Sequence, residues 1–371
     1  MSEWAEVTIG DICTRVVSGG TPLTSKHEYY LNGNIPWLKT KEVNQCRIYS
    51  TENHITQLGL ENSSAKLIPR NSVTVAMYGD GQTAGRVGLT KIPLATNQAC
   101  CNLIIDATIA DAEFVFYHLF GAYDELVARK TGSGQQNLNA QLIKAFEISL
   151  PELPEQKVIA AVLSSLDDKI DLLHRQNSTL EAMAATLFRQ WFVEEAQEDW
   201  REVRLGDYFP VVTGKKDANF STDDGEYPFF TCSQSAIKAP SCSFEGAAIL
   251  LSGNGDFNIK RYIGKFEAYQ RTYVLIPYDV KYFSFLYTLM KFYLLEITSG
   301  YQGSVINFIT KGMITEFKFR LPDEHINIDE KLAQFNELYE KIDSNNSQIQ
   351  TLEKLRDTLL PKLMSGEVRV V

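Results

Sequence analysis

Two long stretches of the chain carry apolar residues at alternating steps of three and four, a spacing that is typical of paired helices. Glycine is absent from both stretches and proline is absent from their interiors, so each predicts one continuous helix, over about 154–193 and 329–363. The seam positions of the first helix are Leu163, Leu166, Ile170, Leu173, Asn177, Leu180, Ala184, Leu187 and Trp191. Those of the second are Phe335, Leu338, Ile342, Asn345, Ile349, Leu352, Arg356, Leu359 and Leu363. Because both seams are sustained, we expect the helices, each roughly 50–60 Å long, to pack as a coiled coil.

The two asparagines of the seam favour an antiparallel pair. Asn177 falls at an a position and Asn345 at a d position, and antiparallel coiled coils place a layers against d layers. With these two residues opposite each other, the only awkward layer sets Arg356 against Leu166. A parallel pair would leave each amide against an aliphatic side chain without a partner. The alternative, that both amides are exposed and unpaired, stays open.

Outside the helices, short apolar runs alternate with Gly, Pro and Asn turns, a pattern that predicts two α+β domains. The apolar runs and helices of the two halves are 72–78, 99–105 and a helix over 111–129, then 247–251, 271–276 and a helix over 282–297. Each domain closes on a strand that ends at Leu-Pro, at Leu150 and Leu321, where proline stops the ladder. The resulting boundaries are domain 1–153, helix segment 154–197, domain 198–322 and helix segment 323–371.

The chain repeats itself in sequence as well as in pattern. The frame WAEVTIGD at 4–11 returns as WREVRLGD at 200–207, and Lys169-Ile170-Asp171 returns as Lys341-Ile342-Asp343. We therefore expect two copies of one domain that are related by an approximate two-fold axis. Two copies of one binding surface suit a target that has two parts.

Charge is unevenly distributed. The net charge is −10, but residues 1–150 and 198–322 carry only −2 and 0, so most of the acidity lies in the helical segments. The acidity argues against unspecific phosphate binding, although not against a local basic groove. No apolar run is long enough for a membrane span and no signal peptide opens the chain. The six cysteines lack zinc spacing, so we expect a cytoplasmic protein with reduced thiols.

No catalytic constellation is evident. Residues 79–84 fit the relaxed dinucleotide fingerprint GxGxxA, but the crossover helix that it requires does not follow. Pro322-Asp323 and Asp329-Glu330-Lys331 resemble a nuclease core only superficially, because acids also favour the start of a helix.

Basic, amide and hydroxyl residues accumulate instead in the loops of both domains, and these side chains read base edges and bind phosphates. The candidate DNA-binding residues of the first domain are Gly19, Gly20, Thr21, Lys39, Lys41, Gln82, Arg86, Asn97, Gln98, Gln135, Gln136 and Asn137. Those of the second are Lys215, Lys216, Ser233, Gln234, Asn258, Lys260, Arg261, Arg271, Tyr301, Gln302 and Ser304. The alternative, that these are ordinary solvated turns, stays open.

Several of these segments together resemble the specificity subunit of a Type I restriction–modification system. The matching segments are WAEVTIGD at 4–11, SGGTP at 18–22, IPWLKTKEV at 35–43, ATNQACCNL at 95–103, the stretch 138–173 and LRDTLLPKLMSGEV at 355–368. The resemblance implies two target-recognition domains that read the halves of a split sequence in double-stranded DNA, with the helices as spacer. It also implies a non-catalytic chain, whose partners are two methyltransferase subunits and a restriction (translocase) subunit. S-adenosylmethionine, ATP and Mg²⁺ are expected in those partners and no cofactor in this chain.

The second domain departs from the motifs of the first. Gly214-Lys215-Lys216 stands in place of Gly-Gly-Thr, and Tyr269-Gln270-Arg271 in place of Thr-Asn-Gln, so an asymmetric target is expected. Apolar positions outside the seam, namely Val158, Val162, Met183 and Phe188, suit partner docking or, alternatively, cover the adjacent domains. A coiled-coil scaffold without a nucleic-acid role and an autonomous nuclease or methyltransferase are the competing interpretations.

Overall fold

A computed structural model describes residues 4–79, 83–130, 137–255, 257–299, 308–322 and 328–369. Contacts divide the chain into two units: unit 1 consists of residues 1–171 and 349–371, and unit 2 of residues 172–348. Because the division cuts both long helices, each unit is a sheet domain combined with its own part of the helix pair. The α+β class expected from the sequence is confirmed.

Among its described residues, unit 1 forms three sheets. Its strands are β1 (Ala5–Thr8), β2 (Cys13–Ser18), β3 (Ile35–Leu38), β4 (Cys46–Ile48), β5 (Asn53–Ile55), β6 (Leu67–Ile68), β7 (Val73–Ala76), β8 (Val87–Thr90), β9 (Leu94–Thr96), β10 (Cys100–Ile105) and β11 (Glu147–Leu150). The main sheet has the order β2-β10-β7-β8-β4, the second sheet has the order β5-β3-β9-β6, and β1 pairs with β11. Its helices are α1 (Gln57–Glu61), α2 (Ala112–Gly121), α3 (Tyr123–Ala128), α4 (Ala140–Lys144) and the first half of α5 (Leu153–Arg189).

The core of unit 1 joins the main sheet to α2 and to the long helices. β7 and β8 are buried along their whole length, which requires apolar or bonded polar side chains on both faces. α2 begins at Asp111, whose carboxylate accepts hydrogen bonds from the amides of Glu113 and Phe114 at 3.0 Å. Gln156, which is fully buried in the first turns of α5, accepts from the amide of Asp111 at 2.8 Å. The start of α5 is therefore tied to the start of α2.

Unit 2 has one large sheet and one short ladder. Its strands are β12 (Arg201–Arg204), β13 (Val211–Thr213), β14 (Tyr227–Phe230), β15 (Ile237–Ala239), β16 (Phe244–Ser252), β17 (Ile259–Ala268), β18 (Thr272–Leu275) and β19 (Lys318–Leu321). The large sheet has the order β13-β18-β16-β17-β14-β15, and β12 pairs with β19. The remaining helices of the chain are α6 (Phe283–Phe292), α7 (Leu294–Thr298), α8 (Lys311–Thr315) and α9 (Asp329–Met364).

The helices inside the two domains are shorter than expected. The predicted helix 111–129 is divided into α2 and α3 at Ala122, and the predicted helix 282–297 is divided into α6 and α7 at Tyr293. The backbone leaves the helical region at both residues, with ψ near 19°. Gly121 ends α2 beside the first break, whereas no glycine or proline stands at the second, and the apolar pattern continues through both breaks.

The two long helices run antiparallel within each unit. In unit 1, Asp167 of α5 binds Arg356 of α9 at 2.9 Å, and in unit 2 the ring of Trp191 packs on Phe335 at 5.9 Å between centroids. The asparagine contact expected between the helices is present in unit 2, where the amide of Asn345 donates to Asn177 Oδ1 at 2.8 Å. The alternative of two exposed, unpaired amides is therefore wrong.

The awkward layer at Arg356 is resolved by charge. Its guanidinium binds Asp167, which also accepts a hydrogen bond from the Tyr117 hydroxyl at 2.7 Å. Burial acts to lower the pKa of Arg356, but the charges and hydrogen bonds of Asp167 and Asp357 together raise it overall. Asp167 thus joins α2, α5 and α9.

Candidate nucleic-acid interface

In unit 1, three of the candidate loops meet at one end of the second sheet. Lys39 follows β3 and Asn97 follows β9, and these strands are parallel neighbours. The loop after β2, which carries Gly19–Thr21, is bonded to the end of β9, because the amide of Gly20 donates to Thr96 O at 2.8 Å. We call Gly19, Gly20, Thr21, Lys39, Asn97 and Gln98 the unit 1 loop cluster.

The close approach of these loops requires glycine. A β-carbon on Gly19 would overlap the carbonyl oxygens of Thr96 and Asn97, and one on Gly20 would overlap the backbone of Ala65. The indole of Trp37 fixes the same loop by donating to Gly20 O at 3.0 Å. Any larger residue would push the loop away from β9.

The unit 1 loop cluster presents hydroxyl, amide and ammonium groups. The Thr21 hydroxyl donates to Gln98 Oε1, and Asn97 Oδ1 accepts from the Cys100 thiol at 3.3 Å. The ammonium of Lys39 donates to Asn53 Oδ1 at 3.2 Å. These groups are the types that hydrogen-bond to base edges and phosphates.

The other described candidates of unit 1 lie elsewhere. Lys41 forms an exposed ion pair with Glu52 at 2.5 Å. Arg86 donates to Asn44 Oδ1, and its carbonyl accepts from the amide of Ala76 at 2.9 Å. Asn137 precedes Leu138, whose amide bonds to Met77 O at 3.1 Å, so Arg86 and Asn137 both lie beside the end of β7.

Unit 2 repeats the glycine contact with different side chains around it. Gly214 follows β13, and a β-carbon there would overlap the carbonyl oxygens of Ala268 and Tyr269 at the end of β17. The amide of Gln270 donates to Lys216 O at 2.9 Å, while Lys215 is exposed. Locally, Gly214 therefore corresponds to Gly19, and the segment 268–270 corresponds to 96–98.

Arg271 borders a cleft of about 330 Å³ in unit 2. The cleft is lined by Thr213, Gly253, Asn254, Gln270, Arg271, Tyr273, Phe308 and Ile309. Backbone bonds hold its walls, because the amide of Gly253 donates to Arg271 O at 2.8 Å. The cleft combines amide, guanidinium and aromatic groups.

Four further candidates of unit 2 lie around Cys232. The amide of Asn258 donates to Cys232 O at 2.9 Å, and Lys260 donates to Asn258 Oδ1. Burial lowers the pKa of Lys260. Ser233 and Gln234 follow Cys232 directly, and the Ser233 hydroxyl donates to Ser235 O at 2.7 Å.

Arg261 lies in a different environment from these loop residues. Its guanidinium pairs with Asp343 of α9 at 2.7 Å and stacks on the rings of Phe283 and Tyr339, at 4.9 and 4.7 Å from their centres. The side chain is only 11% exposed. Side chains alternate along a strand, so Arg261 faces away from the side on which Lys260 lies. The expectation that Arg261 belongs to the DNA-binding loops is corrected by this placement.

Arg47 of β4 makes a similar contact with the long helix in unit 1, and the sequence did not single it out. It donates to Asp168 at 2.7 Å and to Asp171 at 2.6 Å, and its side chain is 3% exposed. Burial acts to lower the pKa of Arg47, but the charge and hydrogen bond of Asp171, together with the charges of Tyr49 and Tyr117, raise it overall. Asp171 and Asp343 occupy equivalent positions of the repeat, and that equivalence was the available signal.

Six candidates lie outside the described residues: Gln82, Gln135, Gln136, Tyr301, Gln302 and Ser304. Within the described ranges, no group of three His, Cys, Asp or Glu residues is placed to hold a metal ion. Over the same part of the chain, no helix has the length and apolarity that a membrane crossing needs.

Comparison with protein families gives one match that covers most of the chain. The family model described as the Type I restriction modification DNA specificity domain matches residues 1–182 and again residues 197–354.

Individual relatives agree with this match. The chain is 43% identical to the Type I restriction enzyme EcoDI specificity subunit of Escherichia coli over 173 residues, which span 46% of this chain and 39% of that relative. It is 27% identical to the MjaIX specificity subunit of Methanocaldococcus jannaschii over 417 aligned positions, which cover 99% of this chain and 94% of that relative. The crystal structure of the Type I S subunit from M. genitalium has a similar fold, with a TM-score of 0.59, 20% identity and coverage of 97% and 96% of the two chains.

Proposed function

The chain belongs to the Type I restriction–modification DNA specificity family, and on that premise we propose that it reads a bipartite, asymmetric target in double-stranded DNA and directs partner subunits to it. The observation that carries the proposal is the repeated loop arrangement. In each unit a glycine loop lies against the end of a strand and gathers amide, hydroxyl and basic side chains. Such groups donate to and accept from base edges in the major groove.

The asymmetry of the target follows from the differences between the two arrangements. Unit 1 places Thr21 and Gln98 where unit 2 places Lys215, Lys216 and Gln270. A hydroxyl–amide pair and a pair of cations complement different base edges and backbone contacts. We propose that the two units read different half-sites.

We assign methylation and cleavage to partner subunits, two methyltransferase subunits and one restriction subunit. These partners would bind S-adenosylmethionine, ATP and Mg²⁺, while this chain would recognise the DNA sequence at which they act. Because these partners act on DNA, we propose that the complex works in the cytoplasm.

The long helices offer surfaces on which these partners can dock. Val158 is 40% exposed and Met183 is 47% exposed, and Met183 borders a groove of about 700 Å³ between α5 and α9 of unit 2 that is also lined by Glu330, Glu337 and Lys341. Phe188 differs, because it is buried in the core of unit 2 and stacks on Phe192 at 5.7 Å. The alternative for Phe188, that it covers the adjacent domain, is therefore correct.

Methylation mapping of host DNA with and without this chain tests the proposal. We expect a modified motif of two short sequences, separated by a gap of fixed length and unread sequence, that is lost when the chain is deleted. Unchanged methylation after deletion would favour the competing interpretation of a coiled-coil scaffold. Cleavage or methylation of DNA by the purified chain alone would show that it is itself the enzyme.

A further inference from the structure

Each unit contains one buried arginine that joins its sheet to a long helix. In unit 1, Arg47 of β4 reaches Asp168 and Asp171 of α5. In unit 2, Arg261 of β17 reaches Asp343 of α9. The two strands differ in sequence and in length, yet both arginines meet the helix at the aspartate of the repeated Lys-Ile-Asp. We call these two contacts the arginine clamps.

The clamp of unit 1 restricts both the orientation of the Arg47 guanidinium and its distance from α5. Arg47 donates through Nε and Nη2 to Asp171 at 3.0 and 2.6 Å, and through Nη1 to Asp168 at 2.7 Å. Asp168 and Asp171 lie three positions apart and therefore on one face of α5. A planar guanidinium held by both carboxylates has one orientation, whereas an apolar contact could slide along the helix.

The clamp of unit 2 also restricts the position of its arginine, and aromatic rings provide additional contacts. Besides Asp343, Arg261 donates to the Tyr339 carbonyl at 3.4 Å, and two aromatic rings enclose its guanidinium. Burial makes each clamp a weak source of net stability, because desolvation opposes the attraction of the charges. Geometric specificity is the property that such a pair supplies best.

We infer that Arg47 and Arg261 are positioning residues: they hold the main sheet of unit 1 and the large sheet of unit 2, with the loops that follow their strands, at one angle and height on the helix. They thereby make recognition sensitive to the gap between the half-sites. The inference rests on the proposed function. A sheet that is free to tilt on its helix would carry its loops to half-sites at neighbouring spacings. The sequence preference of each half-site depends on the loops and is left unchanged.

The test uses the full complex of the chain with its methyltransferase subunits. Its DNA duplexes carry the two half-sites at the native gap and at gaps one base pair shorter and longer. The main variant combines Arg47→Met with Asp171→Leu, because replacing a buried ion pair by apolar residues commonly preserves stability. Arg261→Met with Asp343→Leu is its counterpart in unit 2. The control is Arg204→Met with Glu316→Leu, which removes an exposed ion pair at 3.3 Å.

We expect each clamp variant to raise the methylation rate at the altered gaps, relative to the native gap, by roughly fivefold or more, because a directional charge-assisted contact is lost. The control should keep the wild-type ratio. Val75→Ala separates positioning from stability, since Val75 is buried in the main sheet away from the clamp: it should lower the melting temperature without changing the ratio.

Two outcomes overturn the inference and can be told apart. If the wild-type complex methylates no split motif, the proposed function is wrong and the positioning role falls with it. If the wild-type complex discriminates between gaps and the folded clamp variants keep its ratio, the positioning role alone is wrong. If a double variant does not fold, Arg47→Lys, which keeps the charge but lacks the planar fork, must show the same change of ratio.

Discussion

Asp167 is the residue through which three helices of unit 1 are joined, because it binds both Tyr117 and Arg356. Both members of the ion pair are nearly buried, with side chains 10% and 13% exposed. Removing one partner leaves the other as a buried charge. We expect Arg356→Ala to lower the free energy of unfolding by about 2–4 kcal/mol, as Tyr117 still bonds to Asp167. Urea denaturation measures the loss.

Arg204→Ala is the matched control for this arginine. Arg204 pairs with Asp207 and Glu316 on the surface, where solvent screens the charges and the ion pairs contribute little to stability. Equal unfolding midpoints for the two variants would show that the Asp167 network adds nothing beyond an exposed pair.

A second residue-scale prediction concerns pH. Burial lowers the pKa of His118 to about 4, although Glu6 acts in the opposite direction, and its Nδ1 has no hydrogen-bond partner among the described residues. The unfolded chain therefore takes up this proton first as the pH falls. The stability contributed by neutral His118 is complete above pH 6.5 and is lost progressively as the pH falls from 6.5 towards 4. The urea midpoint of His118→Gln should fall less between pH 7 and pH 5 than that of the wild type; parallel losses would contradict this.

The loops can be tested residue by residue as well. Gln98 presents an amide within the unit 1 loop cluster, so Gln98→Ala should relax sequence preference in one half-site only. Lys39 presents a charge, so Lys39→Ala should weaken binding to all sequences alike and reduce the slope of affinity against salt by about one. Binding assays at several salt concentrations, on duplexes with single changes in either half-site, separate the two effects. Identical behaviour of the two variants would contradict the separate roles of Gln98 in base recognition and Lys39 in phosphate binding.

At the scale of elements, we expect the seam asparagines to help set the register of the helix pair. Asn345 is fully buried and donates to Asn177, whose own amide donates to Asn346 at 2.8 Å. Asn177→Leu alone leaves the Asn345 amide without this acceptor and should cost about 1–3 kcal/mol. Changing both asparagines to leucine should stabilise the pair but loosen its register.

Thermal melting compares the stability of these asparagine variants, and disulfide trapping between cysteines introduced into the helices reports register. A single variant as stable as the double variant would show that the Asn177–Asn345 contact is unimportant.

The elements with a regular apolar periodicity were the ones predicted best from the sequence. The heptad pattern predicted both long helices and the Asn177–Asn345 contact, because each helix is one local and repetitive element. The breaks at Ala122 and Tyr293 escaped prediction because the apolar pattern continues through both, although Gly121 stands at the end of α2. Arg47 escaped for another reason: its partner Asp171 is 124 residues away in the chain.

The residue types of the candidate site could be predicted from the sequence, but the direction in which each side chain points could not. Lys260 and Arg261 looked alike as neighbouring basic residues, yet alternation along β17 sends one towards Asn258 and the other to Asp343. The glycine contacts of Gly19 and Gly214 could be suspected from the motif, but the strand ends that they meet are set by long-range pairing.

At the scale of the whole molecule, we expect the two long helices to set the gap between the half-sites of the proposed bipartite target. Inserting one heptad into α5 after Asp171 and one into α9 after Gln348 adds length where the two units divide. Seven residues lengthen a helix by roughly 10 Å, which corresponds to about three base pairs of DNA. We expect the gap of the methylated motif to grow accordingly while both half-sites stay the same.

Methylation mapping measures that gap directly. A heptad placed in only one of the two helices breaks the antiparallel register and serves as the control. An unchanged gap in the doubly extended chain would show that the helices do not set the spacing.

The division of the chain also sets an order of assembly during synthesis. Unit 2 is continuous in sequence, whereas the core of unit 1 includes Leu360 and Leu363 from the last turns of α9. A ribosome therefore makes the first domain early but supplies its final core residues only after the whole of unit 2 has emerged. Unit 1 is therefore synthesised first and completed last, and until α9 is made, the apolar residues that Leu360 and Leu363 cover lack these partners.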